Sequence, residues 1–182
     1  RIWHLADYTA DASAIYFIFD SSPWGLGGIL VEDEVPTSWF ADRLTPSDAE
    51  RFKRELGSHL GQQTWESLGV LCGLRVWKKR WQHRRCKMSL KGDNMTALTA
   101  ALHLKAPPGH VKNIARELAL DYADANFCPR YAEHVPGGCD TAADVLSRRW
   151  GPQYSDGWQL PEQLLHLTST PVPVRDSHFY LL

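Results

Sequence analysis

The feature that most constrains this chain is a continuous apolar run, Ala14 to Phe19, that stops abruptly at Asp20. A run of aromatic and β-branched residues with no polar alternation suits a central strand covered on both faces. The residues that follow, Asp20-Ser21-Ser22-Pro23 and then Gly25, Gly27 and Gly28, are turn chemistry. Gly28 to Val31 and Val35 to Phe40 then read as second and third strands around Glu32-Asp33-Glu34. Pro36 assigns the third strand to a sheet edge, because proline cannot donate to a ladder on both sides.

The rest of the chain alternates. Leu44 to Gly61 is polar and reads as an insertion with one short helix. Gln62 to Trp81 reads as a helix whose Trp65, Leu68, Cys72, Val76 and Trp77 form one apolar stripe, with Gly69 and Gly73 allowing close approach to a sheet. Cys86, Met88 and Leu90 alternate with Lys87, Ser89 and Lys91, a fourth strand ending at Gly92-Asp93-Asn94. Asn94 is placed to cap a helix from Met95 to Leu104, and a further helix spans about Val111 to Asn126. Arg130 to Val135 is the fifth strand, and Asp140 caps a last helix reaching about Trp150. Three strands, helix, strand, two helices, strand, helix implies an α/β domain with a mixed sheet and helices on both faces. Residues 1–13 read as a connector, 14–150 as the domain, and the proline-containing 151–182 as a tail with at most local structure.

Composition sets the outer bounds. The 182 residues suit one domain, and no apolar run is long enough for a bilayer span. The four cysteines, Cys72, Cys86, Cys128 and Cys139, form no C-x-x-C pair; they are expected to be reduced thiols of an intracellular protein rather than zinc ligands. The opening Arg1-Ile2-Trp3, without Met, suggests a piece of a longer polyprotein. A net charge of −1 means that any polyanion must be held by a local basic patch.

Four carboxylates stand where chemistry would use them. Asp20 and Asp93 end strands that, if parallel neighbours, emerge on one edge. Glu66 lies early in the long helix on its glycine-bearing face, and Asp144 early in the last helix. Phosphodiester hydrolysis needs an activated water, in-line geometry and a stabilised leaving oxygen, and a carboxylate cage for hard divalent cations supplies them. Each acid taken singly is equally a favourable partner for a helix dipole.

Phe19-Asp20-Ser21-Ser22 through Gly25-Leu26-Gly27-Gly28, Gln63-Thr64-Trp65-Glu66, Gly92-Asp93-Asn94, and His134-Val135-Pro136-Gly137 running to Ala143-Asp144-Val145-Leu146-Ser147-Arg148 resemble, in order, the motifs of retroelement ribonuclease H domains. The resemblance covers about Ala14 to Arg149. It implies a ribonuclease H-like fold of five strands, three antiparallel and then two parallel, and a metal site of Asp20, Glu66, Asp93 and Asp144. It implies two Mg²⁺ ions, with Mn²⁺ as a substitute. One would be held by Asp20, Asp93 and Asp144 to activate water, the other by Asp20, Glu66 and Asp93 at the leaving oxygen. His134 would assist proton movement or product release. The substrate implied is an RNA–DNA hybrid, and the partner a reverse transcriptase polymerase domain of the same polyprotein. The sequence departs from the pattern at Ser21, where Ala or Gly is usual, at Asp140 in place of Asn, and in a longer stretch before Glu66.

Lys78, Lys79, Arg80, Arg84, Arg85 and Lys87, interleaved with Trp81, form a basic stretch that reads either as a phosphate-binding patch or as a solvated helix end. Asn94 joins them as a candidate nucleic-acid contact. Two other readings stand beside the nuclease: an inactive hybrid-binding or connection module of a polyprotein, and a transposase or integrase on the same fold.

Overall fold

The computed structural model describes residues 13–81, 86–124, 129–134, 141–154 and 156–181, with positions 13, 14, 86, 87, 129–132 and 134 described through their backbone alone. The strands are β1 (Ser13–Ser21), β2 (Gly25–Glu32), β3 (Val35–Arg43), β4 (Cys86–Gly92) and β5 (Pro129–His134). They form one mixed sheet in the order β3-β2-β1-β4-β5. β1 pairs antiparallel with β2 and parallel with β4; β2–β3 is antiparallel and β4–β5 parallel. Pro36 sits on the edge strand, opposite Val31 at a register shift.

The described residues form six α-helices between and after the strands: α1 (Pro46–Phe52), α2 (Gln62–Val76), α3 (Lys78–Trp81), α4 (Met95–His103), α5 (His110–Asp124) and α6 (Thr141–Ser147). The apolar run reads out on both faces of β1. Ile15, Phe17 and Phe19 enter the larger core with Trp65, Leu68 and Leu71. Tyr16 and Ile18 turn to a smaller core with Ile29, Trp39 and Leu146, where they remain half-buried.

Two expectations for the long helix are corrected. It ends at Val76, and α3 is a separate short helix after Trp77. Nor is it buried along one stripe: Thr64 to Leu74 are all buried, because α2 lies between the sheet and the α4–α5 pair. A helix buried on every side is an interior element. Its two glycines set the approach. A Cβ on Gly73 would lie 2.0 Å from the Phe17 ring, and one on Gly69 2.7 Å from Ser21 Oγ.

Residues 151–181 are not the loosely structured tail that four prolines suggest. Leu164 fills the smaller core, and Phe179 and Tyr180 join the larger one. Thr170 N–H donates to Trp39 C=O at 2.8 Å, so the tail pairs with the exposed side of β3 and covers an edge that would otherwise template aggregation. Arg175 is buried against α1, with Nε and Nη2 2.9 and 2.8 Å from the two Asp48 oxygens and a further bond to Arg43 C=O. Its Nη1 pairs with Asp42. No described helix is long and apolar enough to cross a membrane.

Candidate active site

The parallel pairing of β1 with β4 aligns Ile18 with Lys91. Two residues further along each strand stand Asp20 and Asp93, which therefore reach the same edge at the same level. Alternation puts Asp20 on the face of Tyr16 and Ile18, the face that α6 covers. Glu66 comes from the other face, in the second turn of α2. Its helix is clipped to the end of β1: Ser21 Oγ donates to Trp65 C=O at 3.0 Å, and Gln62 Nε2 donates both to Ser21 C=O and, at 2.7 Å, to Glu66 Oε1.

These connections bring Asp20, Glu66 and Asp93 together, with one carboxylate oxygen of each within 4.8 Å of the others. Asp93 is exposed, Asp20 half-buried and Glu66 buried. Glu66 Oε2 is buried without a hydrogen-bond partner. Burial, and then the charges of Asp20 and Asp93, push the Glu66 carboxyl well above its ordinary range. A buried carboxylate oxygen with no donor, facing two more carboxylates, is a costly arrangement unless a cation shares it. The donor set is all oxygen, which fits a hard divalent ion such as Mg²⁺.

Asp144 lies on α6 at the same edge but is not a member of this cluster. Its Oδ1 pairs with Arg148 Nε one helical turn on. The bond to Asp144, reinforced by the field of Asp20, raises the Arg148 pKa above its ordinary value. Ser147, fully buried, donates to Asp20 Oδ2 at 2.6 Å and lies 3.0 Å from Asp144 C=O. Its own C=O accepts from Ser22 Oγ at 2.7 Å. Gln62, Ser147 and Arg148 were not among the site residues expected from the sequence. The signals available were the four-residue spacing of Gln62 and Glu66, and the Ser147-Arg148 pair closing the last motif.

The backbone of His134 ends β5 opposite Gly92, one residue before Asp93. Asn94 is the N-cap of α4, its Oδ1 accepting from Thr96 N–H at 3.0 Å and Ala97 N–H at 3.1 Å. Arg84, Arg85 and Asp140 fall outside the described residues, and Lys87 is placed by backbone only. Lys78 and Arg80 pair with Asp124 and Glu32. Glu32 sits opposite Ile15, whereas Asp20 lies near the other end of β1. The start of the basic stretch is therefore roughly 17 Å of strand away from the carboxylates. Trp81 is fully buried in the larger core and offers no surface to a base or sugar.

Among solved structures, the chain is similar to the ribonuclease H1 of the halophilic archaeon Halobacterium salinarum NRC-1. The TM-score is 0.51 at 17% identity, over 76% of this chain and 96% of that one. The fold is that of ribonuclease H. No family model matches the sequence, and a search of curated proteins by sequence found no match. At this identity the ribonuclease H likeness concerns the backbone, and function has to be argued from the site.

Proposed function

We propose that the chain is a metal-dependent nuclease that hydrolyses the RNA strand of RNA–DNA hybrids, serving as the ribonuclease H unit of a retroelement reverse transcriptase. The observation that carries this reading is the convergence of Asp20, Glu66 and Asp93 on one sheet edge, with a buried Glu66 oxygen left without a donor. The order of motifs ending in His134 and Asp144 supports the retroelement context.

Asp20, Glu66 and Asp93 would hold Mg²⁺, and Asp144 would join them once released from Arg148. Bound there, divalent ions supply an activated water and stabilise the departing 3′-oxygen. Gln62 and Ser147 act before any substrate arrives: each fixes one carboxylate from a different face of the sheet. Asp93, exposed on the rim, is open to the approaching phosphate. His134, on the strand beside Asp93, is the candidate for moving a proton at the leaving oxygen.

The test is a labelled hybrid incubated with Mg²⁺, beside single-stranded RNA and double-stranded DNA. Cutting is expected only in the RNA strand of the hybrid, to stop in EDTA, and to be abolished by Asp20→Asn or Asp93→Asn. Equal cutting of single-stranded RNA, or activity that survives the chelator, would overturn the reading. Hybrid binding without cleavage at any metal concentration would favour the inactive hybrid-binding module.

A further inference from the structure

Besides Arg148, which Asp144 holds, basic residues gather on two helices on the Trp65 side of the molecule. α1 closes with Arg51-Phe52, Lys53 caps it and Arg54 follows, and the exposed face of α5 carries Lys112 and Arg116. The Phe52 ring ties the two together. It stands 6.1 Å from Trp65, the neighbour of Glu66, and 6.2 Å from His110 at the start of α5. α5 runs away from this edge, since Asp124 at its other end meets Lys78. The α1–α5 surface thus begins on the side of the molecule where the acids converge, and the Lys78–Arg80 stretch lies at the other end.

Three observations mark it as a surface for a polyanion. Lys53, Arg54, Lys112 and Arg116 are exposed and have no carboxylate partner among the described residues. The acids nearby in sequence are Glu50 and Glu55, Asp48, which Arg175 neutralises, and Glu117 and Asp121, which Arg75 neutralises, each pair at 2.8 Å. Arg54 and Lys53 act on the start of α5: burial first, and then their charges, hold His110 below its ordinary pKa. Finally, Arg51 and Arg116 flank an open cavity of about 780 Å³ whose floor includes Phe52, Leu120 and Tyr180. Cations around an apolar floor match a sugar–phosphate backbone, which alternates charge with apolar ring faces.

Resting on the nuclease reading above, we propose that the face joining α1 to the first half of α5 holds the phosphate backbone of the hybrid, with Lys53, Arg54, Lys112 and Arg116 as the phosphate contacts. The surface begins beside Trp65, so a duplex lying along it has a strand within reach of Asp93. It also explains how a chain of net charge −1 holds a polyanion: the charge is concentrated where the duplex lies.

The experiment compares Arg54→Ala/Arg116→Ala with Lys78→Ala/Arg80→Ala, each in an Asp93→Asn background so that the substrate survives. Affinity for an RNA–DNA hybrid is measured from about 50 to 200 mM salt, where counterion release dominates. The first pair is expected to lose about tenfold or more at the low end. Its plot of log K against log salt should flatten by up to about 0.9 per lost contact. The second pair should follow the parent line. Losses should be similar for hybrid and double-stranded DNA, because phosphate contacts do not specify sequence. That result supports the surface even if the cleavage assay finds no nuclease, so the two ideas fail separately. Parallel lines with equal affinities, or no nucleic-acid binding at about 50 mM salt by the Asp93→Asn parent, would overturn the proposal. Equal binding to polyglutamate, lost in the same variant, would show an acidic polypeptide as the occupant and overturn it too.

Discussion

At the scale of residues, the site stores electrostatic stress that a titration can read. Glu66 is buried beside Asp20 and Asp93, and all three effects raise its pKa above the ordinary 4.5. An acid whose pKa is raised by folding is stabilising in its neutral form. That contribution is complete below 4.5 and is lost as pH climbs through the raised value. Metal-free protein should therefore lose stability across that window, with a slope approaching about 1.4 kcal/mol per pH unit. Glu66→Gln should lack that slope and melt higher than the parent at neutral pH. Melting curves in EDTA from pH 4 to 8 check this; parallel curves for the two proteins would refute it. The three clustered acids stood out in the sequence by their places at a strand end or early in a helix, and the resemblance to ribonuclease H motifs grouped them as a metal site. The capture of Asp144 by Arg148 was not legible. Which cation reaches a carboxylate depends on how α6 docks, and spacing does not encode docking. The sequence left Lys78 to Lys87 open between a phosphate-binding patch and a solvated helix end. Charge density along a chain does not say at which end of a sheet the charge emerges.

At the scale of elements, the apolar run was enough to place β1 at the sheet's centre, and Pro36 enough to place β3 at its edge. The packing of the tail was not legible because many of its contacts, such as those of Thr170 and Arg175, are made with residues more than a hundred positions earlier, and prolines do not announce them. Arg175 is the clearest case. It is buried with Asp48, which also takes bonds from Thr45 N–H and Oγ1 at 2.8 Å as the acidic member of the α1 capping box. Removing one partner of a buried pair strands the other charge, at a typical cost of about 3–5 kcal/mol. Arg175→Met should therefore destabilise by about that much. Combining it with Asp48→Asn should recover part of the loss, because neither charge is then stranded. Urea denaturation of the two single variants and the double closes the cycle. Additive losses would mean that the ion pair contributes little and that the tail is held by its other contacts, Leu164, Phe179 and Tyr180 in the cores and Thr170 on β3.

At the scale of the whole molecule, the two faces of the sheet meet at one point. Glu66 arrives from the α2 face with Gln62 as its brace, and Asp20 is braced by Ser147 from the α6 face. The cluster exists only when both layers are docked on β1, so metal affinity reports on the assembled fold. A ligand that binds only the folded state stabilises it by mass action, about 2.7 kcal/mol at a hundredfold excess over Kd. Mg²⁺ should therefore raise the melting temperature of the parent and leave Asp93→Asn nearly unmoved. Ser147→Ala separates bracing from coordination, because the hydroxyl touches Asp20 Oδ2 and no ion is needed to place it. Losing that bond should cost about 1–2 kcal/mol without metal. If Ser147 also aims the carboxylate, the Mg²⁺ concentration at half-maximal stabilisation should rise several-fold, and Ser147→Thr, which keeps the hydroxyl, should restore most of it. A lower starting melting temperature with an unchanged Mg²⁺ midpoint would make Ser147 a packing residue, and the α6 face would then contribute to the fold without tuning the site.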